Sequence, residues 1–211
     1  QSFCDVAHSL IEESGIDRNK LLGAGVGLAT TEKFDENGYV TSPILGWNNV
    51  PVKSLFEAAL GLPFIIEARA LAMLRAEVWA EKVDNAEGTI LINNGVGMGA
   101  AAYFDGRFIP TGGAGFGNVS HLSLPDSAAL CRCGRTGCLE YSGTGAAVLA
   151  DVNGWPPNKL PVFSELSGDL HNLVQQAENG DVKAQRAFRN AGRRMGAGID
   201  AIVALLAPQR I

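Results

Sequence analysis

Residues 112–121 read Gly112-Gly113-Ala114-Gly115-Phe116-Gly117-Asn118-Val119-Ser120-His121, and residues 131–140 read Cys131-Arg132-Cys133-Gly134-Arg135-Thr136-Gly137-Cys138-Leu139-Glu140. His121, Cys131, Cys133 and Cys138 thus follow a His-x9-Cys-x-Cys-x4-Cys spacing. Three thiols and one imidazole match a closed tetrahedral zinc shell. Soft thiolates select zinc over magnesium or calcium. Gly134 and Gly137 let the backbone turn tightly enough for all four side chains to reach one ion. A disulfide and free buried thiols are the alternatives, and disulfides are rare in the cytosol. A shell filled by protein ligands leaves no open position for a reactive water, so the zinc is expected to be structural. Cys4 lies far away and reads as an ordinary small apolar residue.

The glycines extend well beyond this stretch. The chain holds 26 of them in 211 residues, against roughly 7% in ordinary domains. They follow no Gly-X-Y period, which excludes collagen. At 46% hydrophobic residues the chain can fill a core. The formal net charge of -5 argues against sequence-independent nucleic-acid binding by these residues, because phosphate contacts need a basic face. No run of ~18 apolar residues is present to span a membrane. The first residues, Gln1-Ser2-Phe3-Cys4-Asp5, lack the basic and apolar regions of a signal peptide, so a cytoplasmic location is expected. Both ends read as cut from a longer protein, with an apolar strand beginning at Ala207-Pro208-Gln209-Arg210-Ile211.

Helices and strands alternate, which predicts an α/β class. Val6, Leu10 and Ile11 sit at helical spacing, and Leu21 to Leu28 read as a buried strand with glycine at 23, 25 and 27. Asn37-Gly38 is a hairpin-type turn pair. Pro51 opens a helix whose apolar face is Val52, Leu55, Phe56 and Leu60, and Gly61 caps it. Pro63 to Glu67 reads as a strand and Ala68 to Val83 as a helix. Thr89 to Asn93 is a strand that runs into Asn94-Gly95-Val96-Gly97-Met98-Gly99. Asp105-Gly106 turns the chain back through Arg107 to Ile109. Trp155-Pro156-Pro157 marks a loop, and Lys183 to Leu206 a long final helix that Pro208 ends. A composition shift at Asn85 to Gly88 predicts two units, 1–86 and 87–211.

The stretches quoted first, with Ser42-Pro43, Leu45-Gly46-Trp47, Gly61 to Glu67 and Gly95 to Gly99, resemble the ROK family of repressors, open reading frames and sugar kinases, most closely its NagC/Mlc-type regulators. The resemblance implies an actin-like (ribonuclease-H-like) sugar kinase fold of two lobes, truncated at both ends. Residues 1–86 would be a partial first lobe and 87–211 a second lobe with the zinc loop.

The resemblance also assigns roles. Kinases of the family take the sugar proton with an Asp in a Glu-Asn-Asp-Ala run. Here the run is Glu67-Ala68-Arg69-Ala70, and a guanidinium accepts no proton. Ala68 also removes a sugar-binding amide. Ile44, Asn118 and Ser120 replace other expected side chains, and Asn93-Asn94-Gly95 replaces a Gly-Thr-Gly phosphate turn. His121 and Glu140 match sugar contacts, with Asn118, Arg69 and Gly113 as further candidate ligand residues. Asn94, Gly95, Gly97 and Gly99 form a phosphate-loop remnant. Arg69 either fills a dead site or pairs with an anionic sugar. The implied function is a sugar-sensing effector domain of a transcriptional regulator, a homodimer or larger homo-oligomer contacting DNA through a segment outside this chain. The alternative is an ATP-dependent sugar kinase.

Overall fold

The computed structural model describes residues 3–29, 37–42, 45–81, 88–109, 116–159 and 163–211. The first elements are α1 (Phe3–Ser14), β1 (Ala24–Leu28), β2 (Tyr39–Ser42), β3 (Trp47–Pro51), α2 (Val52–Leu60) and β4 (Phe64–Ala68). α3 (Arg69–Glu81) leads to β5 (Thr89–Asn94), β6 (Met98–Phe104) and β7 (Arg107–Ile109). The helices that follow are α4 (Leu139–Ser142), α5 (Gly145–Asn153), α6 (Phe163–Glu178) and α7 (Val182–Leu206). The expected α/β alternation is present. The expected unit boundary falls on residues 82–87, outside the described residues. Among the described residues no helix is long and apolar enough to cross a membrane.

β1 and β4 pair in parallel, from Ala24 opposite Phe64 to Leu28 opposite Ala68. β2 and β3 form an antiparallel pair. Leu28, Val40, Val52, Leu60, Phe64 and Ile66 bury together, with Phe56, Trp47 and Ile11 packed around them. Phe56 stacks on Phe64 with ring centroids 4.5 Å apart. The buried Ser42 hydroxyl donates to the Ala29 carbonyl at 2.6 Å, tying β2 to the end of β1. Gly61 closes α2 in the left-handed conformation, φ 63°, as its lack of a side chain permits.

Several sequence expectations are corrected here. The first strand starts at Ala24, because Asp17 caps a short 3-10 turn over Arg18–Lys20 and holds the chain out of the sheet. Leu22 is consequently 94% exposed. On α2, Leu55 is exposed while Val52 and Leu60 are buried. On α1, Ile11 packs inward whereas Val6 and Leu10 face outward. The strand after Asn37-Gly38 pairs with β3, and β1 pairs with β4.

β5, β6 and β7 form an antiparallel sheet. The β6–β7 turn has positive φ at both Asp105 (49°) and Gly106 (74°), as a two-residue hairpin of the favoured twist requires. Side chains alternate across β6. Ala101 and Tyr103 pack against Ala70, Leu71 and Leu74 of α3. Ala102 packs with Ile90 against Ile202 of α7. α3 also packs on β1 and β4, and so joins the first sheet to the third. Beyond α7 the chain returns beside β5. The Ile90 amide donates to the Arg210 carbonyl at 3.0 Å, and Thr89 and Arg210 form a parallel bridge.

Leu74 is fully buried at this junction. Leu74→Ala is expected to lower stability by about 2–5 kcal/mol and the melting temperature by roughly 5–15 °C. Leu55→Ala should stay within about 0.5 kcal/mol. Thermal denaturation followed by circular dichroism checks both; equal shifts would contradict this packing.

Candidate metal centre and the adjoining glycine turns

The knuckle is held by a ladder of backbone hydrogen bonds. The Cys131 amide donates to Arg135 O at 2.8 Å, Gly134 N to Cys131 O at 3.0 Å and Gly137 N to Ala129 O at 2.9 Å. Leu124 N donates to Gly137 O at 2.9 Å, and Leu139 N to Leu122 O at 2.9 Å. Two isolated antiparallel bridges, Ser123 with Cys138 and Leu130 with Thr136, complete it. Gly134 and Gly137 both lie at positive φ, 84° and 75°. A side chain at Gly137 would also strike the Leu124 carbonyl, whereas Gly134 faces open space.

This folding brings four donors together. The ligand atoms of His121, Cys131, Cys133 and Cys138 all lie within 4.8 Å of one another. Cys131 Sγ is 3.4 Å from His121 Nδ1, and Cys133 Sγ is 3.6 Å from Cys138 Sγ. A tetrahedral ion at about 2.3 Å from sulfur and 2.0–2.1 Å from imidazole nitrogen would set edges of about 3.8 and 3.6 Å. The donors therefore fit a tetrahedral metal of that size. None of the three thiols is in a disulfide. Cys131 and Cys138 are buried, and Cys133 is exposed.

The electrostatics separate the thiols. Burial pushes Cys131 and Cys138 up. Burial opposes ionisation of Cys133 too, but hydrogen bonds from the Arg135 backbone and guanidinium, and from the other two thiols, bring it down to about 7. Burial, then the charge of Arg135, hold His121 below its ordinary value, which favours the neutral imidazole that ligates metals. A bound cation would deprotonate the buried thiols as well.

The same loop places Glu140. Leu139 is fully buried beside Met98, Leu124 and Met195, and it fills the space left by Gly198. Glu140 follows it on α4 and is buried. Burial pushes its carboxyl up to about 7 against the pull of Arg132, with Cys133 adding to the rise. Arg132 Nε donates to the Tyr141 hydroxyl at 2.7 Å, one residue further on. Arg194 of α7 pairs with Asp126 at 3.3 Å and holds the loop from the other side.

Two glycine turns meet next to this helix. The Gly145 amide donates to Gly95 O at 2.8 Å and the Ala146 amide to Val96 O at 3.0 Å. A Cβ on Gly145 would lie 3.0 Å from Gly95 O. Asn94 Nδ2 reaches the Gly143 carbonyl at 3.5 Å, so its amide is used in joining the turns. Thr144 Oγ1 donates back to the Glu140 carbonyl. Sequence reading missed Gly143-Thr144-Gly145; its signal is a Gly-Thr-Gly cluster directly before an Ala-rich helix.

The other predicted residues fall as follows. Gly99 faces α3, with its Cβ position 3.4 Å from Ala70 Cβ, which sets the first turn of α3 beside the Gly95–Gly99 hairpin. Arg69 opens α3 with an exposed side chain, and its Cα lies 3.4 Å from the Cβ position of Gly27. Neighbouring Glu67 is paired to Arg75 at 2.8 Å. Of the early glycines, Gly23 and Gly27 make close approaches while Gly25 does not. Gly113 lies outside the described residues, as does Ile44. Asn118 sits in a 3-10 turn, Phe116–His121, and its side chain is likewise outside them.

A helix-flanked sheet joined to a second small sheet through α3, with two abutting glycine turns and a cysteine–histidine knuckle, is the α/β actin-like architecture of sugar kinases and their relatives. The chain belongs to the ROK family, whose sequence profile matches residues 3–211. It is 25% identical over 197 residues to the xylose repressor of Caldicellulosiruptor bescii, covering 90% of this chain and 49% of that protein. It is 30% identical over 201 residues to the glucokinase of Halalkalibacterium halodurans, covering 92% and 61%. The ROK family glucokinase of Streptomyces griseus, solved in complex with glucose and AMPPNP, superposes with a TM-score of 0.71 at 22% identity, covering 97% of this chain and 68% of that one. The chain thus spans about half to three fifths of these two curated relatives.

Gly137→Ala is expected to cost about 3 kcal/mol, combining left-handed strain with the carbonyl clash. Gly134→Ala carries the strain alone, about 1–2 kcal/mol. Chemical denaturation of both variants tests the difference, and a reversed order would show the loop is folded otherwise.

Proposed function

We propose that this chain is the sugar-sensing effector part of a ROK-type transcriptional regulator, derived from a kinase scaffold that no longer transfers phosphate. Arg69 carries the reading. By the sequence resemblance it stands where the family's kinases carry the catalytic Asp, and it opens α3 directly after β4. A guanidinium is protonated at every physiological pH and accepts no hydrogen bond, so it cannot take a proton from a sugar hydroxyl. Zinc, held by His121, Cys131, Cys133 and Cys138, is the structural metal on this reading. It would supply a cross-link and no reacting group. His121 Nδ1 points to the thiols, which leaves Nε2 for the sugar. Glu140 accepts hydrogen bonds from sugar hydroxyls, and Gly113, Asn118 and Arg69 complete the ligand side.

Two lobes, 1–86 and 87–211, closing on a sugar would shift the population of conformers. A DNA-binding segment outside these residues, in a homodimer or larger assembly, would read that shift in the cytoplasm. Arg69 favours an anionic sugar, since bidentate carboxylate or phosphate recognition suits a guanidinium. One observation favours the alternative, an ATP-dependent sugar kinase. The Gly95–Gly99 hairpin is kept and buttressed by Gly145, as a phosphate-binding turn would need.

The full-length protein should consume no ATP above background in a coupled assay across neutral hexoses and N-acetylhexosamines; robust turnover with any of them refutes the loss of the base. In isothermal titration Arg69→Ala should weaken binding of a sugar acid or sugar phosphate at least about tenfold and leave neutral sugars unaffected. Equal losses for both classes would remove Arg69 from the ligand. Emission spectroscopy should find stoichiometric zinc, and a strong chelator should lower the melting temperature. A metal-free protein of unchanged stability would overturn the zinc assignment.

A further inference from the structure

Two opposite charges, Glu67 and Arg69, border one patch of sheet where β4 passes into α3. Phe64 and Ile66 of β4 turn into the core, so Glu67 lies on the strand's other side. Gly27 stands beside Glu67 in the parallel pair, and its Cβ position is 3.4 Å from the Arg69 Cα. A carboxylate and a guanidinium so placed would ordinarily pair. Here both Glu67 carboxylate oxygens accept instead from Arg75 Nε, at 2.8 and 2.9 Å. Arg75 is steered to Glu67 by Phe108 of β7, whose ring centroid lies 4.3 Å from the guanidinium carbon. Phe108 is in turn set against the buried Tyr103, with ring centroids 4.8 Å apart. Among the described residues Arg69 forms no ion pair. Arg75 is half exposed, and an ion pair of that kind adds little stability. Its consequence falls on the residue it excludes.

We propose that Arg75 is a positioning residue of the ligand site: it holds the Glu67 carboxylate beside Phe108, away from Arg69, and so keeps the Arg69 guanidinium open to the carboxylate or phosphate of an anionic sugar. This rests on the ligand role given to Arg69 above. With Arg75 removed, Glu67 turns to Arg69 and occupies the edge that an anion would take. The ligand must then displace a carboxylate tethered two residues away, which competes at high effective concentration. Neutral sugars need no guanidinium and do not meet that competition. Arg75 thereby sets a preference for charge without touching the ligand.

Isothermal titration of the full-length protein with glucose 6-phosphate, glucuronate and glucose tests this. Arg75→Ala should weaken binding of the two anions about threefold or more and leave glucose unchanged. In a Glu67→Gln background, where the competing charge is gone, the same substitution should have no effect on any of the three. A merely structural Arg75 would weaken all three ligands and would not be rescued by Glu67→Gln. Arg75→Met keeps an apolar cover over Phe108 and replaces Arg75→Ala if that variant loses its cooperative melting. If neither anion binds the unaltered protein, or if Arg69→Ala leaves their affinity unchanged, the ligand role of Arg69 fails and the proposal with it. If Arg69→Ala does weaken the anions but Arg75→Ala does not, or if Glu67→Gln brings no rescue, Arg75 has no such role while Arg69 keeps its own.

Discussion

The gathering of His121, Cys131, Cys133 and Cys138 within 4.8 Å is the constraint around which the second half of the molecule is arranged. Four donors spread over eighteen residues converge only because Gly134 and Gly137 adopt positive φ and the knuckle closes its own backbone ladder. That closure fixes Cys138, and Cys138 fixes the start of α4. Leu139 is thereby driven into the gap at Gly198 on α7, and Glu140 is buried beside it. Thr144 then bonds back to Glu140, and the amides of Gly145 and Ala146 seat α5 on the Gly95–Val96 turn. From Cys138 to Gly145 the chain covers eight residues, and within them the Ser142 hydroxyl donates to the Cys138 carbonyl at 3.0 Å. A side chain added at 137, 145 or 198 would break a different link in one series.

β6 carries this order across to the other half. Its residues alternate between α3 and α7, and Met98 and Gly99 at its start divide the two faces. Met98 joins Leu124, Leu139 and Met195 on the knuckle side. Gly99, lacking a side chain, admits Ala70 of α3 on the other. The knuckle and the first turn of α3, where Arg69 lies, are therefore held against neighbouring residues of one strand. Interiors of native density transmit small displacements instead of absorbing them.

Much of this was legible in the sequence. The His121, Cys131, Cys133 and Cys138 cluster was readable because cysteine and histidine have few other uses at such spacing, and the long α7 because its apolar residues repeat at helical intervals. The Asp105-Gly106 hairpin was readable because both residues tolerate positive φ. The failures have a common cause. Leu22, Leu55, Val6 and Leu10 are apolar but exposed, and nothing in a periodicity distinguishes a buried face from one left open. The pairing of β1 with β4 was hidden because parallel partners lie far apart in sequence. The meeting of Gly143–Gly145 with Gly95–Val96 was hidden because it is made by backbone atoms that leave no side-chain pattern.

The combination of what is kept and what is altered bears on how such a chain would work. A kinase must bind the transition state more tightly than the sugar, and that requires a base. A sensor requires only that the sugar bind one conformer better than another, and the shift it produces is bounded by that difference. On the proposed reading a guanidinium at Arg69 stands in place of the base and reverses the charge where α3 begins, while Arg69 itself is exposed and the packing runs through Ala70 and Leu74. On the reading proposed here, binding energy that a kinase directs to phosphoryl transfer is available to hold one arrangement of the two sheets, and α3, which packs on both, is the element that would carry it.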